Sequence, residues 1–143
     1  MTPQALAQAC AEAMWAEDRA SAGLGMRIAR VAPGECDMTM RVEERMVNGH
    51  AICHGGFIFA LADSAFAFAC NSFNRRAVAQ SNSITYLRPA RLGDELTARA
   101  VQVASAGRSG ITDVVVTDQD GRQVALFRGL SRTIEGHLVE GVA

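Results

Sequence analysis

Asp63 is the one side chain in this sequence whose surroundings call for chemistry. It lies in Phe57–Cys70, a run broken by polar side chains only at Asp63 and Ser64. A run that is apolar on every face at helical length reads as a buried helix, because a surface helix carries a polar stripe. A carboxylate there is destabilised by several kcal/mol or has its pKa pushed up, and no Arg lies within the run to offset this. An ionisable group in such a place is a candidate general base or nucleophile. The alternative is a structural carboxylate satisfied by a neighbouring strand.

Complementary chemistry stands at the start of the same run. Gly55 and Gly56 fall at the first turn of the helix, where backbone N–H groups lack intrahelical acceptors and the macrodipole favours negative charge. Glycine also lets a substrate approach the backbone closely, so these donors suit a carbonyl oxygen that becomes an oxyanion during acyl transfer. Gly55 and Asp63 are eight residues apart, about 12 Å along one helix, too far to act on a single carbon. Two copies of the helix lying antiparallel about a two-fold axis would bring Asp63 of one near Gly55 of the other.

Other candidates flank these two. Asn48 offers both an acceptor and donors to a water or a leaving thiolate, or else simply forms the turn of an Asn-Gly pair. His54 either contacts the reacting group or caps the helix, and His50 is comparable. Ser64 is placed to support Asp63 or the substrate, or to bond its own preceding turn. Phe57 and Phe66 have the aromatic character of a pocket for an aryl-acetyl group, a character shared with ordinary core residues. Cys53 reads as a small buried hydrophobe rather than a nucleophile.

The elements that must position these residues follow from the pattern on either side. Thr2-Pro3 caps a helix reaching about Asp18. Residues 26–32 and 35–42 read as strands around Pro33-Gly34, with Met38, Met40 and Val42 alternating against Thr39 and Arg41. After the central helix come strand-like segments at 77–87, 95–104, 109–117 and 122–133, the last two separated by a turn containing Asp120-Gly121. The tail from Glu135 reads as loosely held. One buried helix, five or six mostly antiparallel strands and a covering helix make a single α+β domain over residues 1–143.

Composition narrows the function classes. The chain has 143 residues, 49% of them hydrophobic, and a formal net charge of −1, which argues against a nucleic-acid partner held by phosphate neutralisation. The apolar run is shorter than the roughly 20 residues needed to cross a bilayer, so no membrane span is expected. Cys10, Cys36, Cys53 and Cys70 form no CxxC pair, which points away from a zinc site or disulfide scaffold and toward a reducing cytosol. All basic residues are Arg. Arg88 and Arg108, with Arg75 and Arg76, stand at predicted element ends where they could meet phosphates.

Asn48-Gly49-His50, His54-Gly55-Gly56 and Leu61-Ala62-Asp63-Ser64-Ala65-Phe66 together resemble the hotdog-fold acyl-CoA thioesterases of the phenylacetate-degradation (PaaI-like) family. Tyr86-Leu87-Arg88-Pro89-Ala90, Gly93-Asp94 and Val124–Gly129 extend the resemblance over most of the chain, and the departures fall on linking residues such as Ala51 and Ile52. The resemblance implies a hotdog fold, an antiparallel sheet wrapped around one long central helix, in a homodimer with shared active sites that assembles further into a tetramer. It implies hydrolysis of (hydroxy)phenylacetyl-CoA or a related acyl-CoA without cofactor or metal. Asp63 would be the base or nucleophile, Gly55 the oxyanion donor, Asn48 and His54 catalytic neighbours, and Gly56, Ser64, Phe57 and Phe66 supporting or substrate residues. A hotdog enoyl-CoA hydratase or dehydratase and a non-catalytic acyl-CoA-binding protein are the rival readings.

Overall fold

Thr2 starts the first helix. Its Oγ1 accepts a hydrogen bond from the Ala5 N–H at 3.0 Å and caps α1 (Pro3–Trp15), while Pro3 occupies a first-turn position where a missing N–H removes no intrahelical bond. The computed structural model, which describes residues 1–142, ends this helix at Trp15 rather than near Asp18. The reason is that Asp18 caps the next helix, α2 (Arg19–Gly23), accepting from the Ser21 N–H at 2.9 Å and the Ser21 hydroxyl at 2.7 Å.

Six strands form one sheet: β1 (Arg27–Ala32), β2 (Glu35–Arg41), β3 (Ala77–Tyr86), β4 (Glu95–Ala106), β5 (Ser109–Thr117) and β6 (Gln123–Thr133). Their order is β1-β2-β4-β5-β6-β3, and every neighbouring pair is antiparallel. The central helix α3 (Gly55–Cys70) and β3 are inserted between the adjacent strands β2 and β4. The chain therefore leaves the sheet, crosses one of its faces as a helix that packs against every strand, and returns on the far edge. Register shifts in β1, β3, β4 and at the end of β5 let the sheet curl around the helix.

Alternation sets which strand residues meet α3. Cys36, Met38 and Met40 of β2 and Val114 and Val116 of β5 are buried against the helix face formed by Leu61, Ala62, Ala65, Phe66, Phe68 and Ala69. Each fully buried large side chain contributes about 1.5–3 kcal/mol to this core. Trp15 reaches across from α1 to Phe68, at 6.3 Å between ring centroids. The helix is nevertheless not enclosed on all sides. Gly56 is exposed, and Phe59, Ala60, Asp63, Ser64 and Ala67 are half-buried, a stripe at helical spacing that the rest of the chain does not cover.

The tail is tied down, contrary to the sequence reading. Asn74 is 2% exposed with φ 60°, and its Oδ1 accepts from the N–H groups of Leu138 and Val139 at 3.0 and 2.8 Å. Its Nδ2 donates to the Val139 carbonyl at 3.0 Å. Asparagine tolerates the left-handed backbone that this bend requires. Asn74→Ala therefore releases residues 137–142 and destabilises the fold by about 1–3 kcal/mol, visible as new proteolysis near the C-terminus and a lowered Tm.

Candidate active site

The first turn of α3 is held by the loop before it. The His54 N–H donates to the Met46 carbonyl and the Cys53 N–H to the Ala90 carbonyl, both at 2.7 Å. Asn48 accepts from the His50 N–H through its Oδ1 at 2.9 Å, and its carbonyl accepts from Ala51, which is held at φ 60°. Asn48 thus builds the turn with its carboxamide oxygen, while it remains exposed with Nδ2 making none of the described hydrogen bonds.

His54 is the helix cap. Its Nδ1 accepts from the Gly56 N–H at 3.0 Å, its carbonyl accepts from the Phe57 N–H at 3.0 Å, and its ring meets Phe57 edge-on at 6.2 Å. Capping selects donors: Gly56 and Phe57 are engaged by His54, while the Gly55 N–H is left without an acceptor among the described residues, at the positive end of the helix. Tyr86 fixes this turn from β3 by donating its hydroxyl to the Gly55 carbonyl at 2.8 Å. A Cβ on Gly55 would come within 2.9 Å of the tip of the Tyr86 ring, so a larger residue there pushes the half-exposed tyrosine aside and disturbs its hydrogen bond to this turn.

Asp63 is half-buried two turns further on. Its Oδ1 accepts from Asn82 Nδ2 of β3 at 3.1 Å, and Oδ2 accepts no hydrogen bond among the described residues. Burial raises the Asp63 pKa above the ordinary carboxylate value, and the Asn82 hydrogen bond pulls it part of the way back. None of the described ion pairs involves Asp63. It is a carboxylate made more basic by its setting, with one oxygen free.

The remaining candidates separate. Ser64 bonds the Ser21 hydroxyl at 2.9 Å, which in turn bonds Asp18, so it anchors α2 to α3 and makes no hydrogen bond to Asp63. Phe66 is 1% exposed, packs on Phe127 and lies over Gly129, which makes it a core residue within the protomer. Phe57 is half-buried beside His54. The Cys53 thiol is pushed up to about 11 by burial and stays protonated near neutrality, which fits a packing role. Arg88 lies just past the Tyr86 end of β3, and Arg108 lies by Thr133, whose partner across the sheet is Ala77 at the other end. The two exposed arginines are therefore at opposite ends of the protomer.

Asn82 and Tyr86 escaped the sequence reading as site residues. A polar side chain at a helix-facing strand position is the same kind of anomaly as Asp63 in its helix, but the helix-facing register of β3 was needed to see it. Among the described residues no group of three or more His, Cys, Asp or Glu is placed to hold a metal, and no helix is long and apolar enough to cross a membrane.

Comparison with known proteins agrees with this geometry. Residues 50–125 match the model of the thioesterase superfamily. Acyl-coenzyme A thioesterase PaaI of Escherichia coli is 46% identical over 127 residues, covering 88% of this chain and 90% of the relative. The solved structure of the E. coli PaaI protein from the phenylacetic acid degradation operon superposes with a TM-score of 0.93 at 41% identity, covering 95% of this chain and 99% of that one. A Streptococcus mutans protein solved with acetyl CoA bound gives a TM-score of 0.75 at 27% identity, covering 78% of this chain and 90% of that one. Since the matched region runs from His50 through the whole of α3 to Ala125, and both chains align over most of their length with the E. coli protein, this hotdog-fold chain belongs to the PaaI-like family of the thioesterase superfamily.

Proposed function

We propose that the protein hydrolyses acyl-CoA thioesters to a carboxylic acid and free coenzyme A, in active sites shared between two copies of the chain. The observation that carries this reading is the pairing of a free Gly55 N–H at a helix N-terminus with a basic, half-open Asp63 carboxylate on the same helix, about 12 Å away. One protomer cannot use both on one carbon. The half-covered stripe of Gly56, Ala60, Asp63 and Ala67 and the unpaired outer edge of the ten-residue strand β3 both suit a second copy packed antiparallel.

In that arrangement the Gly55 N–H of one protomer polarises the thioester carbonyl and Asp63 of the other takes a proton from the attacking water. The water oxygen bonds the carbonyl carbon, the tetrahedral intermediate collapses with cleavage of the C–S bond, and the thiolate recovers the proton. Direct attack by Asp63 through an anhydride is the other route open to this residue. The exposed Asn48 Nδ2 is available to the leaving sulfur. Antiparallel pairing of β3 also brings Arg88 of one protomer to the end of the sheet that carries Arg108 of the other, which makes an arginine pair for the coenzyme A phosphates. The His54 Nδ1 caps the helix, which places the ring N–H on Nε2, so the hydratase reading is decided by assay on an enoyl-CoA.

The phenylacetic acid degradation operon of the E. coli relative supports a role in phenylacetate breakdown and with it an aryl-acetyl substrate, (hydroxy)phenylacetyl-CoA, and the four free cysteines support a cytosolic setting. A homotetramer of two such dimers belongs to the same reading. Thiol release from phenylacetyl-CoA, ring-hydroxylated analogues and short linear acyl-CoAs tests the activity and ranks the substrates. Binding without turnover refutes it in favour of a carrier, and water addition to an enoyl-CoA in favour of a hydratase. Sedimentation of a monomer alone refutes the shared site. Gly55→Ala is expected to lower kcat by up to about 10²-fold, since the new methyl group displaces Tyr86 and the oxyanion donor by a fraction of an ångström. Adding Tyr86→Ala restores part of kcat.

A further inference from the structure

The uncovered stripe of α3 carries one polar side chain besides Asp63, and that is Ser64. It is half-buried, and its one described side-chain hydrogen bond joins it to the Ser21 hydroxyl of α2 at 2.9 Å. Ser21 is 2% exposed, and the same hydroxyl bonds Asp18 Oδ2 at 2.7 Å while Asp18 Oδ1 accepts the Ser21 N–H at 2.9 Å. A carboxylate, a buried hydroxyl and a hydroxyl on the open face beside Asp63 thus form one chain.

Chemistry fixes the direction of that chain. A hydroxyl has one hydrogen to give, and a carboxylate oxygen only accepts. Ser21 gives its hydrogen to Asp18, so toward Ser64 it is an acceptor. Ser64 in turn gives its hydrogen to Ser21 and has only lone pairs left for the open face. A serine free to rotate serves donors and acceptors alike, whereas this one is set as an acceptor. Anchoring α2 to α3 needs no such direction, because a hydroxyl pair holds equally well either way round.

We propose that Ser64 Oγ accepts a hydrogen bond from a donor on the acyl-CoA, and that Asp18 and Ser21 are positioning residues that hold the Ser64 hydrogen away from the substrate. This assignment rests on the hydrolase reading above. Two parts of an acyl-CoA carry a donor close to the thioester. One is a hydroxyl on the acyl group, as in a ring-hydroxylated phenylacetyl. The other is the pantetheine amide N–H, joined to the sulfur by an ethylene unit. A fixed acceptor selects for either and against an analogue that brings a second acceptor to the same place, because lone pairs then face each other.

The test is thiol release from phenylacetyl-CoA, its ring-hydroxylated and ring-methoxylated analogues, and the S-ethyl thioester of phenylacetic acid, which lacks the amide. Wild type, Ser64→Ala and Asp18→Asn are compared, with folding checked by circular dichroism. Ser64→Ala is expected to lower kcat/KM about three- to tenfold for substrates that carry the donor, the effect of one neutral hydrogen bond. A loss confined to the hydroxylated substrates places the donor on the acyl ring. An equal loss on every acyl-CoA, absent from the S-ethyl thioester, places it on the pantetheine amide.

Asp18→Asn tests the direction, because asparagine caps a helix as well as aspartate does. Its Oδ1 still accepts the Ser21 N–H, while Nδ2 donates to the Ser21 hydroxyl and reverses the chain, turning the Ser64 hydrogen to the open face. The substrates that lose rate with Ser64→Ala then lose a similar factor, and where the donor is the ring hydroxyl the methoxylated counterpart gains. A Ser64 that only anchored α2 does not produce this exchange. If Ser64→Ala does not fold, Asp18→Asn carries the comparison. A uniform loss that includes the S-ethyl thioester overturns the assignment, and an Asp18→Asn protein with wild-type preferences overturns the one-way chain. A wild type that releases no thiol from any acyl-CoA sinks the hydrolase reading and this assignment with it, whereas an active wild type matched by both variants sinks this assignment alone.

Discussion

Asp63→Asn lowers kcat for acyl-CoA hydrolysis by at least about 10²-fold, the usual contribution of a general base, while the folded variant melts at the same temperature as wild type or higher. The two effects have one cause. Burial favours the protonated form of Asp63, so its pKa in the fold lies above its unfolded value. A carboxyl group of this kind stabilises the fold fully below the unfolded pKa and loses that contribution as pH rises through the folded pKa. At neutral pH the ionised side chain is therefore a burden on stability, and the neutral amide removes it. The expected result is an exchange of stability for activity at this residue, the trade-off common at active sites. Thiol-release kinetics and a melting curve on the same preparations check both halves, and equal rates for the two proteins would make Asp63 a structural residue.

The second large effect concerns the packing that closes the sheet over the helix. Phe66 is 1% exposed, tilts against Phe127 at 5.8 Å, and lies directly on Gly129, where a Cβ would meet three of its ring atoms at 2.7 to 2.8 Å. Phe66→Ala leaves a cavity beneath α3 and is expected to destabilise the protein by about 3–5 kcal/mol. Gly129→Ala overfills the same place and costs about 1–3 kcal/mol, because a ring this enclosed has no free volume to move into. The two sites are in contact, so their effects are not additive. Phe66→Leu combined with Gly129→Ala should be less destabilised than the sum of the single changes, which chemical denaturation measures directly. Additivity would show that ring and glycine do not share the space the structure gives them.

Most of the architecture was legible before folding was considered. The apolar run around Asp63, the alternation at Met38 to Val42 and the turns at Pro33-Gly34 and Asp120-Gly121 are local signals, and with the strand-like segments between them they place the central helix and all six strands within two residues of their observed ends. Pattern also singled out Gly55 and Asp63, because a glycine pair at a helix start and a charge in an apolar helix are anomalies within one element. The length of α1 was misread because Asp18 serves as a cap for α2, a role set by Ser21 rather than by the preceding periodicity. The tail was misread because its partner, Asn74, is 64 residues away from Leu138 in sequence.

What only the tertiary structure decided is which polar groups meet. Asn82 reaches Asp63 across a separation of 19 residues, and a register shift between Ala79 and Ser81 changes which residues of β3 face the helix. Strict alternation from Ala77 would have turned Ser81 and Ser83 inward and left Asn82 outside. A bulge of this kind carries no reliable signature in side-chain types, because it is fixed by the neighbouring strand and by the curl of the whole sheet. The same holds for Tyr86 over Gly55, for Ser64 drawn to Ser21, and for Arg88 and Arg108 at opposite ends of the protomer. Periodicity and composition act along the chain and so determine the elements and the lone carboxylate. Register and packing act between distant segments, and they alone give that carboxylate its neighbours.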